Sequence, residues 1–257
     1  MIATLVFDIE TIPDAQGLRA LLALPNDISD EDVVNLALHQ RRQQNGTDFL
    51  PLHLHKVCAI SCALRQADHF SIWTLGDEGS SEKEMIQRFF DGIEKYTPQI
   101  ISWNGSGFDL PVLTYRGLIH SVSASRYWDL GEDDKDFKWN NYISRYHMRH
   151  LDLMDVMAMY GGRANAPLDD LAKLCGFPGK LGMDGSKVWD AYQAGKLKEI
   201  RDYCETDVAN THLVYLRFQL MRGHLTAQAY QQEVALVRET LEGYQGEHWD
   251  AYLKAWG

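Results

Sequence analysis

Apolar and polar positions along the chain fall into two alternating rhythms. Four short apolar runs rich in β-branched and aromatic residues predict buried strands: Ile2 to Asp8, Val57 to Leu64, His69 to Leu75, and the QIISW segment ending at Trp103. The QADH stretch between the second and third suits a hairpin connection. A helical period follows, with Ser80 or Ser81 as cap and Ile86, Phe89, Phe90 and Ile93 as an apolar stripe. LPVLTYRGLIH predicts another helix, HLDLMDVM a short fifth strand running into a helix, and Lys196 to Met221 a long helix. Thr226 to Trp256 reads as a helical C-terminal extension. Strands alternating with helices predict an α/β domain over residues 1–222, interrupted by insertions at about 14–55 and 121–149 and followed by the 223–257 extension.

Composition narrows the class. With 257 residues, 45% hydrophobic and 24% charged, the chain is neither disordered nor fibrous. Its 25 Lys+Arg against 36 Asp+Glu give a net charge of −11. That argues against a protein that coats duplexes, which needs a basic surface to replace counterions, but not against an enzyme gripping one strand end. The IATLVFDIE start has no positive n-region, so no signal peptide is expected. No apolar run approaches the ~20 residues of a spanning helix, so no membrane association is expected. Cys58, Cys62, Cys175 and Cys204 are too few for a disulfide framework. The first two, in an apolar run, read as core thiols, and the expected setting is reduced and cytoplasmic.

Three segments carry candidate chemistry. In FDIET, Asp8 and Glu10 are two apart on a strand, so both side chains emerge on one face. Adjacent carboxylates repel and resist desolvation unless a cation neutralises them, and a hard divalent metal prefers such oxygen ligands. Taken alone, the pair equally suits a solvated strand end. In SWNGSGFDLP, Asp109 follows a strand and a Gly-rich turn and precedes Leu110-Pro111 in a helix's first turn. It can face the same locus or simply cap the helix. Asn104 can fix the turn or touch a substrate. In RDYCETDVANT, Tyr203 and Asp207 are four apart and share a helix face, with Asp202 and Glu205 expected in solvent.

Together these segments resemble the DEDD superfamily of 3′–5′ exonucleases on an RNase H-like fold, in its tyrosine form. The match is D-x-E at Asp8 and Glu10, N-x-x-x-F-D at Asn104 to Asp109, and Y-x-x-x-D at Tyr203 to Asp207. The wording of the motifs is most similar to stand-alone relatives of the proofreading domain of family B DNA polymerases. It covers roughly Ile2 to Arg217, and no polymerase module fits in the remainder. The resemblance implies a three-layer fold around a central mixed five-stranded sheet, with helical insertions. It implies hydrolysis of terminal phosphodiesters to nucleoside 5′-monophosphates. Two Mg²⁺ or Mn²⁺ ions would be held by Asp8, Glu10, Asp109 and Asp207, and Tyr203 would orient the attacking water. Single-stranded DNA or RNA 3′ ends are the implied partners, with DNA favoured. Ile9, Thr11 and Phe108 border the acids as candidate contacts to the terminal nucleotide. An inactive nucleic-acid-binding module and an endonuclease are the rival readings.

An acidic chain needs a local basic face for such a substrate. Candidates are Arg145 to His150, Gly176 to Lys187, and Arg41-Arg42. The first, with Trp139, Tyr142 and Tyr146 nearby, suits either a base-stacking platform or a surface loop anchored by an aromatic. His53, His55, His147 and His150 lack the Cys-x-x-Cys partners of a closed zinc site. GKLGMDGSK fails the P-loop spacing. Asp152 and Asp155 read as a cap or polar rim.

Overall fold

A computed structural model describes residues 3–257; Ile2, the first position of the expected first strand, lies outside the described residues. Strands β1 (Thr4–Pro13), β2 (His55–Gln66), β3 (His69–Thr74), β4 (Gln99–Ser102) and β5 (His150–Asp152) form one sheet in the order β3-β2-β1-β4-β5. The β1–β2 and β2–β3 pairs are antiparallel; β1–β4 and β4–β5 are parallel. This is the mixed five-stranded sheet of an RNase H-like α/β domain. β1 continues five residues beyond its apolar run because β2 supplies ladder partners down to His55, with a register shift between Glu10 and Thr11. Asp8 and Glu10 therefore lie within a paired strand, not beyond its end.

Period-two alternation divides β1 between two layers. Leu5, Phe7 and Ile9 enter the core beneath α3 (Glu82–Tyr96) and α4 (Asp109–Ile119), the two main helices after α1 (Ala15–Leu21) and α2 (Asp30–Asn45) of the first insertion. Ser81 is the α3 cap, its side chain accepting from Glu84 N–H. Val6 faces the other way, into a core shared with Ile101, Leu151, Val208 and Leu213. Asp8 and Glu10 share that side. The second insertion is mostly irregular, with one short helix, α5 (Ser125–Trp128). Two aromatic anchors, Phe137 and Tyr142, fix it to the core instead of a helical stripe.

On the second face lie α6 (Leu153–Met157), α7 (Leu168–Leu174), α8 (Val188–Gln193) and the long α9 (Leu197–Met221), followed by α10 (Ala227–Glu242) and α11 (Glu247–Trp256). The last two are packed into the α9 core. Trp249 and Tyr252 are buried there, and the Tyr244 hydroxyl accepts from the Ile72 N–H of β3 at 2.9 Å. This closure explains why Glu205 is not in solvent. It accepts from Thr74 Oγ1 at 2.8 Å and lies 3.1 Å from His248 Nε2 of α11. α4 is fixed from behind by Arg116, which donates twice to Glu82 (2.8 and 2.6 Å) and once to Asp14 (2.6 Å). Such a buried pair is tolerated because the planar guanidinium satisfies both carboxylate oxygens. Among the described residues, no helix is long and apolar enough to cross a membrane.

Candidate active site

The site is built where the first parallel strand meets a turn and a helix. β1 presents Asp8 and Glu10 toward α9, whose Tyr203 and Asp207, one turn apart, face back. Asp109 opens α4 and reaches across β1, where its Oδ1 accepts from the Ile9 N–H at 3.2 Å. Glu10, Asp109 and Asp207 are buried. Four carboxylates thus converge from three segments separated by about a hundred residues each.

Their electrostatics are those of acids crowded together away from water. Burial first, then Asp109, Glu10 and Asp207, push the Asp8 carboxyl well above the usual range. Burial and Asp207 do the same to Glu10. Burial lifts Asp109 to about 7, against the opposing pull of backbone N–H groups. Asp207 is also raised by burial, and its Oδ1 is sealed from solvent with no hydrogen-bond partner.

One cation answers this field. The Lys180 ammonium lies 3.0 Å from Asp207 Oδ2 and donates to the Tyr203 hydroxyl. Burial works to lower its pKa, but Asp207, Asp8 and Glu10 outweigh that and hold it raised. A single ammonium leaves most of the negative charge uncompensated. Four carboxylates with an orphaned buried oxygen fit hard divalent cations, and Asp8 and Glu10 lie close enough together, with Cys204, to share one ion. Cys204 Sγ also approaches Asp8 Oδ2, at 3.6 Å.

Lys180 falls in the basic stretch 176–187, but sequence gave it no separate role because its placement is tertiary. The neighbouring Gly179 has φ +71° and is clamped by Asn210 of α9. Gly179 N–H donates to Asn210 Oδ1 at 3.2 Å, and Asn210 Nδ2 donates to Gly179 O at 2.9 Å. Tyr252 of α11 donates to the same Oδ1 at 2.8 Å. The C-terminal helices thereby reach the site through two hydrogen bonds. The legible signal was Asn210, a polar residue three positions after Asp207 on a helix face that must be buried.

The remaining sequence candidates separate by what they touch. Ile9 sends its side chain into the core (4% exposed) and offers the site its N–H. Thr11 Oγ1 bonds His55 Nδ1 at 3.0 Å. Phe108 meets the His55 ring edge-on at 5.2 Å and Phe49 at 6.0 Å, an aromatic wall that includes two residues the motifs did not single out. Asn104 adopts φ +66°, the left-handed bend of the turn, and a Cβ at Gly107 would lie 2.5 Å from Asn104 Oδ1, so any larger residue there would have to displace the Asn104 side chain. Asp152 braces this turn from β5, accepting from Asn104 N–H (3.0 Å) and Ser106 N–H (2.8 Å). Of the histidines, His147 accepts from Asn141 N–H and His150 pairs with Ser102 Oγ, both structural roles. Arg42 pairs with Asp48, and Arg41 donates to Phe49 O.

Residues 47–256 match the family described as "Predicted 3'-5' exonuclease related to the exonuclease domain of PolB". The match begins after β1, so the positions of Asp8 and Glu10 rest on the geometry above. Among solved structures, the fold is similar to the family B DNA polymerase from the hyperthermophilic archaeon Pyrobaculum calidifontis. The TM-score is 0.52 with 16% sequence identity, over 86% of this chain and 25% of that one. This chain thus spans about a quarter of the polymerase's length. No curated protein matches the sequence. The fold defines an RNase H-like domain of the polymerase-exonuclease type. Within that class, the chain belongs to the family of predicted 3′–5′ exonucleases related to the exonuclease domain of PolB.

Proposed function

We propose that this chain is a metal-dependent 3′–5′ exonuclease that removes nucleoside 5′-monophosphates from single-stranded nucleic acid, DNA first. The observation that carries this reading is the meeting of Asp8, Glu10, Asp109 and Asp207 beside Tyr203 at one buried locus. These four carboxylates would hold two divalent ions, Mg²⁺ or Mn²⁺. When bound, such a pair supplies an activated water and stabilises the attacking and leaving oxygens of an in-line displacement.

The protein's own groups do the positioning. Burial, with Asp207, Glu10 and Asp8 around it, drives the Tyr203 phenol far above its ordinary pKa. Its hydroxyl stays protonated and orients water by hydrogen bonding; it is not the base. Lys180 holds that hydroxyl and Asp207 in register. Phe108 and Asn104, in the turn that leads to Asp109, would pack against and hydrogen-bond the terminal nucleotide.

5′-labelled single-stranded DNA and RNA incubated with Mg²⁺ or Mn²⁺ should give a ladder shortening from the 3′ end and abolished by chelation. Internal cuts would favour an endonuclease. Intact oligonucleotide with retained binding would favour an inactive binding module. Tyr203→Phe should lower kcat by about a hundredfold, the scale of a misplaced reactant, while leaving Mn²⁺ affinity by calorimetry nearly unchanged. Equal losses in both would remove the orienting role.

A further inference from the structure

The C-terminal ends of β1, β4 and β5 lie side by side, which is where open α/β sheets bind their ligands. β1 carries the acids and β4 leads into the 104–109 turn. Beyond β5, about two strand spacings or ~10 Å from β1, a narrow pocket of about 30 Å³ flanks the outer strand, reaching from the 104–109 turn to Met148, whose O accepts from Gln99 Nε2 at the start of β4. Ser106 of the turn lines it, together with Arg145, Tyr146, Met148, Asp155 and Tyr160.

This cleft presents groups that a folded domain does not ordinarily leave uncovered. Tyr146 is 78% exposed and Tyr160 42%, and their rings meet edge-on at 6.0 Å. The Arg145 guanidinium lies over the Tyr160 ring at 4.8 Å. Trp139, from the same insertion, is 76% exposed with the Lys138 ammonium above its ring. Met159 and Tyr160 hold successive left-handed conformations, φ +51° and +59°. Such strain costs on the order of 1–3 kcal/mol per residue and concentrates at functional sites. Core packing does not explain these rings. Tyr142 is the aromatic that anchors the insertion, buried and donating to Pro98 O at 2.6 Å. Residues 138–163 carry four cations against two acids in a chain of net charge −11. One of the acids, Asp152, already accepts three backbone N–H groups, and the other, Asp155, lies 3.5 Å from the Arg145 guanidinium, which a phosphate would have to draw from it.

We propose that this cleft is the track for the single strand upstream of its 3′ terminus. Bases stack on Tyr146 and Tyr160, and Arg145 meets the backbone phosphate. Exposed aromatics interleaved with cations are what single strands bind without sequence preference. Continuity with the turn that carries Asp109 sets the strand's direction. The proposal rests on the exonuclease reading for that direction, not for the binding itself.

The test is fluorescence anisotropy of a labelled oligothymidylate of about twenty nucleotides in EDTA, where cleavage is off. Binding should weaken at least ~5-fold in the Tyr146→Ala/Tyr160→Ala pair and persist in the Tyr146→Phe/Tyr160→Phe pair. In Mn²⁺, the ratio of kcat/KM on this substrate to that on trithymidylate should fall in the alanine pair only. Wild-type affinity in the alanine pair, or no affinity in the wild type, overturns the track and leaves the face to a protein partner. A wild type that binds but does not cleave, with affinity lost in the alanine pair, sinks the exonuclease reading and keeps the track.

Discussion

Asp8→Ala is expected to lower turnover on single-stranded substrate by about 10³-fold, the equivalent of roughly 4 kcal/mol of barrier. The metal-free variant should melt no lower than the wild type. Asp8 sits among Asp109, Glu10 and Asp207, all of which raise its pKa, so the carboxylate is a charge the fold carries at a cost. Removing it relieves repulsion on each neighbour. Asp207→Ala should lose turnover equally but gain less stability, because it strands the Lys180 ammonium that now lies 3.0 Å from it. Asp207→Asn, which keeps a polar partner for Lys180, separates the two effects. Initial rates and thermal melts in EDTA give both readouts. Near-normal rates in either alanine variant would contradict the carboxylate assignment.

A second large effect concerns pH. A carboxyl whose folded pKa is raised binds its proton more tightly folded than unfolded, so stability falls as pH rises between the two values. For Asp109 the window runs from the ordinary carboxylate value of about 4 to about 7. At ~1.4 kcal/mol per pH unit, that is on the order of 4 kcal/mol. Asp8, Glu10 and Asp207 shift in the same direction. The opposite slope comes from buried histidines: burial lowers His150 to about 4, His212 to about 3 and also His55, so they add stability as pH rises up to the ordinary imidazole value of about 6.5. The metal-free protein should therefore lose Tm from about pH 6.5, where the histidines cease to oppose the acids, to pH 8. Saturating Mn²⁺ should restore more at pH 8 than at pH 5, since ions that bind only the folded state stabilise it and compete with those same protons. A flat profile, or an equal Mn²⁺ shift at both ends, would show that the acids are not coupled as described.

These expectations depend on residues whose legibility in the sequence differs. The Asp8–Glu10 and Tyr203–Asp207 spacings could be read locally, because strand and helix periods fix which side chains share a face. The alternation of apolar runs likewise prescribes an α/β domain, while the mixed five-stranded sheet was implied by the resemblance of the motifs and not by periodicity. What local periodicity does not contain is which elements close over a given face. Glu205 looks solvent-facing on α9 until β3 and α11 cover it. Ile9, by contrast, stands opposite the two acids by the same strand period that pairs them, and the structure buries it there.

By itself, the sequence determined the secondary-structure rhythm, the acidic side chains and the face of its own element on which each stands. Tertiary structure alone decided that these faces meet and that Lys180 enters among them, beside Gly179, which Asn210 clamps with Tyr252 behind it. It also decided that Phe49 and His55 pack their rings against Phe108. Periodicity is a property of one element's backbone geometry, whereas charge compensation is set by distances between elements far apart in the chain. Only folding brings those distances into being.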